Sequence, residues 1–222
     1  MNAARLAEYG WFRAEAIASE VDLEGLRGTF ERCFPAGAGR RGRENVTELD
    51  ATGIAREPAL ALLHEQVGAL MGRLSADLEF GKLWLVASDA DTTASDQVPF
   101  APHFDRRRYV KAMVYLDDVG ADDGPLTLAR QAPDAMEPRR RKLGPNWQVR
   151  EENRVHENLE FEAATGDAGS VFVFDTNCPH FAGRVVPGVR RRVLRFDYAH
   201  SDWNDDSLGG RFRRAFERRL GR

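Results

Sequence analysis

The reading of the fold starts from Phe100-Ala101-Pro102-His103-Phe104-Asp105. On an extended backbone, side chains two residues apart point the same way. His103 and Asp105 can therefore converge on one point, with Phe104 turned away. One further His would complete a 2-His-1-carboxylate facial triad, the ligand set of non-heme Fe(II) oxygenases. His180 is available for that position. By composition alone an H-x-D triplet is expected about 0.4 times in this chain. A second one, His200-Ser201-Asp202, has no His after it and reads as surface. The pair thus takes its weight from what surrounds it.

Working outward, the chain on the C-terminal side of this stretch is built of short extended pieces. Tyr109 to Leu116 alternates Tyr109, Lys111, Met113 and Tyr115 with Val110, Ala112, Val114 and Leu116, a strand with one mixed and one aliphatic face. An acidic turn, Asp117 to Pro125, leads to a short strand at Leu126-Thr127-Leu128. Residues 130 to 160 are charged and irregular, with Pro133, Pro138, Pro145 and a basic run from Arg139 to Lys142. They read first as a solvated surface segment, an insertion beside the scaffold of the kind that can also act as a lid or substrate loop, with Trp147 in it. His156 lies in it with no structured element to aim it. Gly169-Ser170-Val171-Phe172-Val173-Phe174-Asp175 is a turn into a strand, and Thr176 to Pro179 is a loop ending at His180. After a turn at Val185 to Gly188, Arg191 to Tyr198 is the last long strand. Leu208, Phe212, Phe216 and Leu220 then repeat on one stripe of an amphipathic helix.

The N-terminal side is mainly helical. Residues 4 to 13 read as a short helix running into a strand. Ser19 is a candidate N-cap for a helix carrying Val21, Leu23, Leu26, Phe30 and Cys33, which ends by Pro35 before a loop at Gly37 to Gly42. Residues 43 to 57 give no pattern. Pro58 opens a helix with Leu60, Leu63, Val67, Leu70, Met71 and Leu74 at helical spacing. His64 within it reads as a partly exposed helix residue. Leu83 to Ala87 is a buried strand, and Asp89 to Gln97 a polar loop.

Helices first, then many short strands with tight turns, then a helix: this order predicts an α+β, mainly β protein. Its core is a double-stranded β-helix, or jelly roll, flanked by N-terminal helices and a C-terminal helix. A single domain over residues 1–222 is expected. It comprises a helical region at about 1–80, the jelly-roll core at 81–200 with the 130–160 insertion, and the helix at 201–222. An apolar fraction of 42% allows a sizeable core. No apolar run approaches the roughly 18 residues of a membrane span. No leader pattern is seen, and two distant cysteines suggest a reducing, cytoplasmic setting. A net charge of −3 gives no basic field for nucleic acid. The expected partner is a small molecule, with no nucleic acid or membrane partner.

In this order the pieces resemble the phytanoyl-CoA dioxygenase-like members of the Fe(II)/2-oxoglutarate-dependent oxygenases. The resemblance rests on Gly10-Trp11-Phe12, His103-x-Asp105, the strand ending Leu116-Asp117-Asp118, and the turn Asp123-Gly124-Pro125-Leu126. It continues through the strand from Gly169 to Asp175 leading to His180, and an Arg-rich strand start eleven residues on. The family's Pro-Gly-Ser-His after the Gly-Pro-Leu turn is replaced here by Ala129-Arg130-Gln131-Ala132.

The resemblance implies Fe(II) held by His103, Asp105 and His180, with 2-oxoglutarate and O2 as co-substrates. A C–H bond of a small molecule would be hydroxylated or otherwise oxidised, with succinate and CO2 as co-products. A carboxylate at Asp105 favours hydroxylation over halogenation, since related halogenases carry a small residue there. The far carboxylate of 2-oxoglutarate needs a planar cation, and the family pattern selects Arg191, with Arg190 and Arg192 one register step away and Arg195 on the same face. Lys111, Tyr115 and Thr127 are further candidates for contact with 2-oxoglutarate. Three readings compete: a Zn(II) hydrolase on the same ligands, a jelly-roll binding protein without turnover, and a hydroxylase acting on protein or nucleic acid.

Overall fold

The computed structural model describes residues 2–14, 22–34, 40–41, 44–89, 100–105, 107–143, 159–183, 185–200 and 203. The expected helix at 201–222, Ser19, the loop at 90–99, Trp147, His156 and Asp202 lie outside the described residues.

Helix α1 (Asn2–Tyr9) runs into β1 (Trp11–Ala14) through Gly10, and α2 (Leu23–Cys33) follows. Its N-cap is Asp22, whose carboxylate accepts from the Gly25 N–H, and not Ser19. The stretch at 43–57, silent in the sequence, holds β3 (Glu44–Leu49) and the short α3 (Ala51–Ala55), capped by Asp50. Helix α4 (Pro58–Leu74) buries Leu60, Leu63, Val67, Leu70 and Met71, the stripe expected from its spacing. Strand β2 (Arg40–Arg41) precedes β3, and β4 (Leu78–Asp89) follows α4.

The rest of the scaffold is β5 (Val110–Tyr115), β6 (Leu126–Ala129), β7 (Phe161–Ala164), β8 (Val171–Asp175), β9 (His180–Ala182) and β10 (Arg190–His200). One sheet runs β1-β8-β5-β10-β4-β3-β2 and the second β7-β6-β9, with antiparallel pairing throughout. The mainly β double-sheet architecture is the one expected.

The large sheet has two unlike faces. Its outer face packs Leu83, Leu85, Val110, Ala112, Val114, Leu194 and Phe196 against α2 and α4. Each of the Leu, Val and Phe side chains among these, fully buried, stabilises by about 1.5–3 kcal/mol. Its inner face turns Val86, Phe172, Phe174 and Val193 toward Leu126, Leu128 and Ala164 of the small sheet. The strict alternation of β5 and β10 delivers this division.

Two further expectations change. Phe100–Asp105 is not a strand: it contributes a single bridge, His103 to His180. The 130–160 segment is not wholly irregular, since α5 (Pro133–Leu143) occupies its first part. Pro133 and Pro138 had suggested broken structure. Pro133 opens the helix, where its missing N–H costs nothing, and Pro138 lies within it.

Candidate active site

His103 and His180 are brought together by their own backbones. The His103 N–H donates to the His180 carbonyl and the His180 N–H to that of His103, each at 3.0 Å. The two rings then lie side by side, centroids 4.4 Å apart. Each imidazole is oriented in the same way. Nδ1 of His103 bonds the carbonyl of Ala101, and Nδ1 of His180 that of Cys178, both at 2.9 Å. A carbonyl only accepts, so Nδ1 carries the proton and Nε2 presents its lone pair.

Both lone pairs face one carboxylate oxygen. Asp105 Oδ1 lies 3.7 Å from His103 Nε2 and 3.5 Å from His180 Nε2. The ligand atoms of the three residues all fall within 4.8 Å of one another, close enough to hold one metal ion. Both histidines are buried. Burial first, then the neighbouring His180, push the His103 imidazole down to about 3, against the pull of Asp105. It is therefore neutral and available as a donor. Burial works to raise the Asp105 carboxyl, but the Lys111 ammonium beside it outweighs that and holds it well below the usual carboxylate range. Two imidazoles with Nε2 turned inward and one carboxylate, with open space beside them, suit Fe(II), so the residues fit the group the sequence implies.

Phe104 points away from this point, as the i, i+2 argument requires. It is fully buried against Met136 of α5, beside Leu159. Helix α5 also supports the loop before His180. Glu137 accepts from Asn177 Nδ2 at 2.6 Å, and Asp134 accepts from Arg108, whose guanidinium also grips both oxygens of Asp175. The helix inside the supposed insertion thus buttresses both ligand-bearing segments. These residues gave no sequence signal beyond Asp175 ending a strand.

One cavity between the sheets is lined by His103, Asp105, His180, Lys111, Arg191 and Arg195, with apolar walls that include Val86, Met113, Phe174 and Val193. Register separates the arginines. Arg191 pairs with Ser88, points inward, is 4% exposed, and donates to Ser88 Oγ at 3.0 Å. Arg190 and Arg192 point to the opposite face, where both meet Glu31 of α2 and Arg192 also grips Asp117. Arg195 is inward, lies 3.3 Å from Asp197 by Nε, and sits over the Trp84 ring. Ser88 was missed because the sequence places it at the edge of a polar loop.

The other candidates divide. Lys111 lines the cavity, but its ammonium contacts Asp105 Oδ2. Tyr115 does not line it: its hydroxyl donates to the Ala164 carbonyl and accepts from the Leu126 N–H. Thr127 lies on the outward face of β6, its hydroxyl 3.4 Å from the Pro125 carbonyl. His64 is a packed helix residue against Phe80 and Phe196, and the His200 ring lies tilted against Trp203.

No curated protein matches the sequence significantly. Solved structures share the fold. The non-heme 2-oxoglutarate-dependent carbocyclase SnoK from nogalamycin biosynthesis aligns with TM-score 0.67 at 15% identity, covering 96% of this chain and 89% of its own. The epimerase SnoN, in complex with Fe3+, 2-oxoglutarate and nogalamycin RO, gives 0.61 at 20%, covering 90% and 83%. HygX from Streptomyces hygroscopicus, with nickel, 2-oxoglutarate and hygromycin B bound, gives 0.61 at 15%, covering 90% and 86%. Among the described residues no helix is long and apolar enough to cross a membrane. The sequence profile of the phytanoyl-CoA dioxygenase family matches residues 78–193, just over half the chain, from the start of β4 into β10 as far as Val193. This chain therefore belongs to the phytanoyl-CoA dioxygenase family, and is an Fe(II)/2-oxoglutarate-dependent oxygenase.

Proposed function

We propose that the protein oxidises an unactivated C–H bond of a small molecule, ordinarily to an alcohol, with His103, Asp105 and His180 holding Fe(II) and Arg191 holding 2-oxoglutarate. The observation that carries this is the meeting of two oriented Nε2 lone pairs and one carboxylate oxygen in a cavity that also contains a buried guanidinium. When bound, Fe(II) with 2-oxoglutarate and dioxygen supplies the oxidising power, and 2-oxoglutarate leaves as succinate and CO2.

The chain's own groups do the rest. The Ala101 and Cys178 carbonyls fix the imidazole rings, so the ligands are oriented before metal arrives. Ser88 holds the Arg191 fork across the strand pair, ready for a carboxylate. Val86, Met113, Phe174 and Val193 keep water from the space between the charged groups, which strengthens every interaction there. A hydrolase on the same three ligands would have no use for Arg191. The small molecules named with SnoN and HygX support a small-molecule substrate bound between the sheets. The carbocyclase and epimerase activities of SnoK and SnoN make the product's mass the measurement that separates hydroxylation from rearrangement.

The test is Fe(II)-dependent succinate release across amino acids, acyl thioesters and natural-product intermediates, with product mass recorded. His103→Ala, Asp105→Ala and His180→Ala each abolish release. Near-normal turnover in any one of them removes that residue from the metal site.

A further inference from the structure

We propose that Lys111 is a counter-charge built into the metal site, one that makes retention of the divalent ion conditional on bound 2-oxoglutarate. This rests on the oxygenase reading above. Lys111 lies on the inner face of β5 and is 4% exposed. Its ammonium contacts Oδ2 of Asp105, the carboxylate whose Oδ1 faces both imidazoles. One residue thus serves two cation positions through its two oxygens.

A cation this buried requires a partner. The residue across from Lys111 on β10 is Asp197, but that carboxylate accepts from Trp84 Nε1 at 2.8 Å and lies 3.3 Å from Arg195 Nε. Asp105 is thus the carboxylate that balances Lys111, and without a metal ion the two charges cancel.

A divalent ion entering alone upsets that balance. It adds two positive charges beside Lys111 and must share with it the one carboxylate of Asp105. With a single carboxylate among the three ligands, the excess is unscreened by the apolar walls and counts heavily. 2-Oxoglutarate brings two negative charges and cancels those of the ion. Lys111 therefore weakens the binary metal complex and spares the ternary one. By linkage, the metal must tighten 2-oxoglutarate by the same factor.

The experiment is calorimetric titration of the metal-free full chain with Mn(II), with and without saturating 2-oxoglutarate. The wild type is expected to bind Mn(II) about tenfold or more tightly when 2-oxoglutarate is present, in the usual range of coupling between sites. Lys111→Met should bind Mn(II) alone about tenfold more tightly than wild type, so that the gain from 2-oxoglutarate shrinks by the same factor. Lys111→Gln, which can still donate to Oδ2 without the charge, should behave like Lys111→Met, and Lys111→Arg like wild type. Thermal melting checks that each variant is folded. If wild type binds both Mn(II) and 2-oxoglutarate while the neutral variants bind Mn(II) alone no better than wild type, this inference fails and the oxygenase reading stands. If wild type binds neither, both fail.

Discussion

Arg191→Gln is the substitution that tests the cavity most sharply. Arg191 is almost fully buried, is positioned by Ser88, and shares its cavity with the three metal-ligand candidates. A guanidinium meeting a carboxylate there makes two charge-assisted hydrogen bonds, each contributing about 1.5–3 kcal/mol. Glutamine retains one neutral donor, so the net loss is about 3–4 kcal/mol. At about 1.4 kcal/mol per decade, the KM for 2-oxoglutarate should rise about 10²–10³-fold. Arg191→Lys restores the charge but not the fork and should recover only part. The neighbours supply controls. Arg190→Gln should leave this KM unchanged, since Arg190 reaches Glu31 on the opposite face of the sheet. Arg192→Gln should cost stability through its Asp117 contact, and not 2-oxoglutarate affinity. Arg195 is four residues along the strand, a backbone displacement of about 13 Å, and Arg195→Gln should also leave it unchanged. Succinate release against 2-oxoglutarate concentration measures all of these. A KM within threefold of wild type in folded Arg191→Gln, or the large rise appearing in Arg195→Gln instead, would refute the assignment.

Three further predictions concern the scaffold. Arg108→Met strands the buried Asp175 carboxylate, whose side chain is 4% exposed, and should cost about 3–5 kcal/mol in denaturant unfolding. Gly10→Ala should cost at least about 2 kcal/mol. Gly10 has φ +79°, and an added Cβ would lie 2.0 Å from Cys178 Sγ and 2.7 Å from the Gln131 carbonyl. Because the Cys178 carbonyl orients His180, this variant should also weaken Mn(II) binding. Burial lowers the His64 pKa from the ordinary 6.5, so the unfolded chain takes up a proton there before the folded one does. That contribution is present above about pH 6.5 and is lost as the pH falls below it. His64→Gln should therefore flatten the loss of unfolding free energy between about pH 7 and 5.5, and an unchanged slope would reject the point.

The legible parts of this chain were those in which sequence spacing alone fixes direction. The i, i+2 relation placed His103 and Asp105 on one point and sent Phe104 into the core. The same period told the two faces of β5 and β10 apart, and so put Lys111, Met113, Arg191 and Arg195 inside. What spacing could not supply is the partner across the fold. Three consecutive arginines are indistinguishable until β10 pairs with β4, when Arg191 meets Ser88 and its neighbours meet Glu31 and Asp117. Tyr115 faces inward as its parity demands, yet its hydroxyl is used by two backbone groups from distant segments.

Helix α5 shows the same limit on a larger scale. Two prolines and a basic run hid it, because local propensity is weak there and its support comes from Arg108 and Asn177, far away in sequence. A helix held mainly by polar contacts to distant loops leaves no apolar stripe to read. It packs Met136 on Phe104, joins the segment bearing Asp105 to the loop bearing His180, and so supports the candidate metal site as much as any strand does. Substitutions in the Pro133–Glu137 turn should accordingly disturb metal binding more than their distance along the chain from His103 and His180 would suggest.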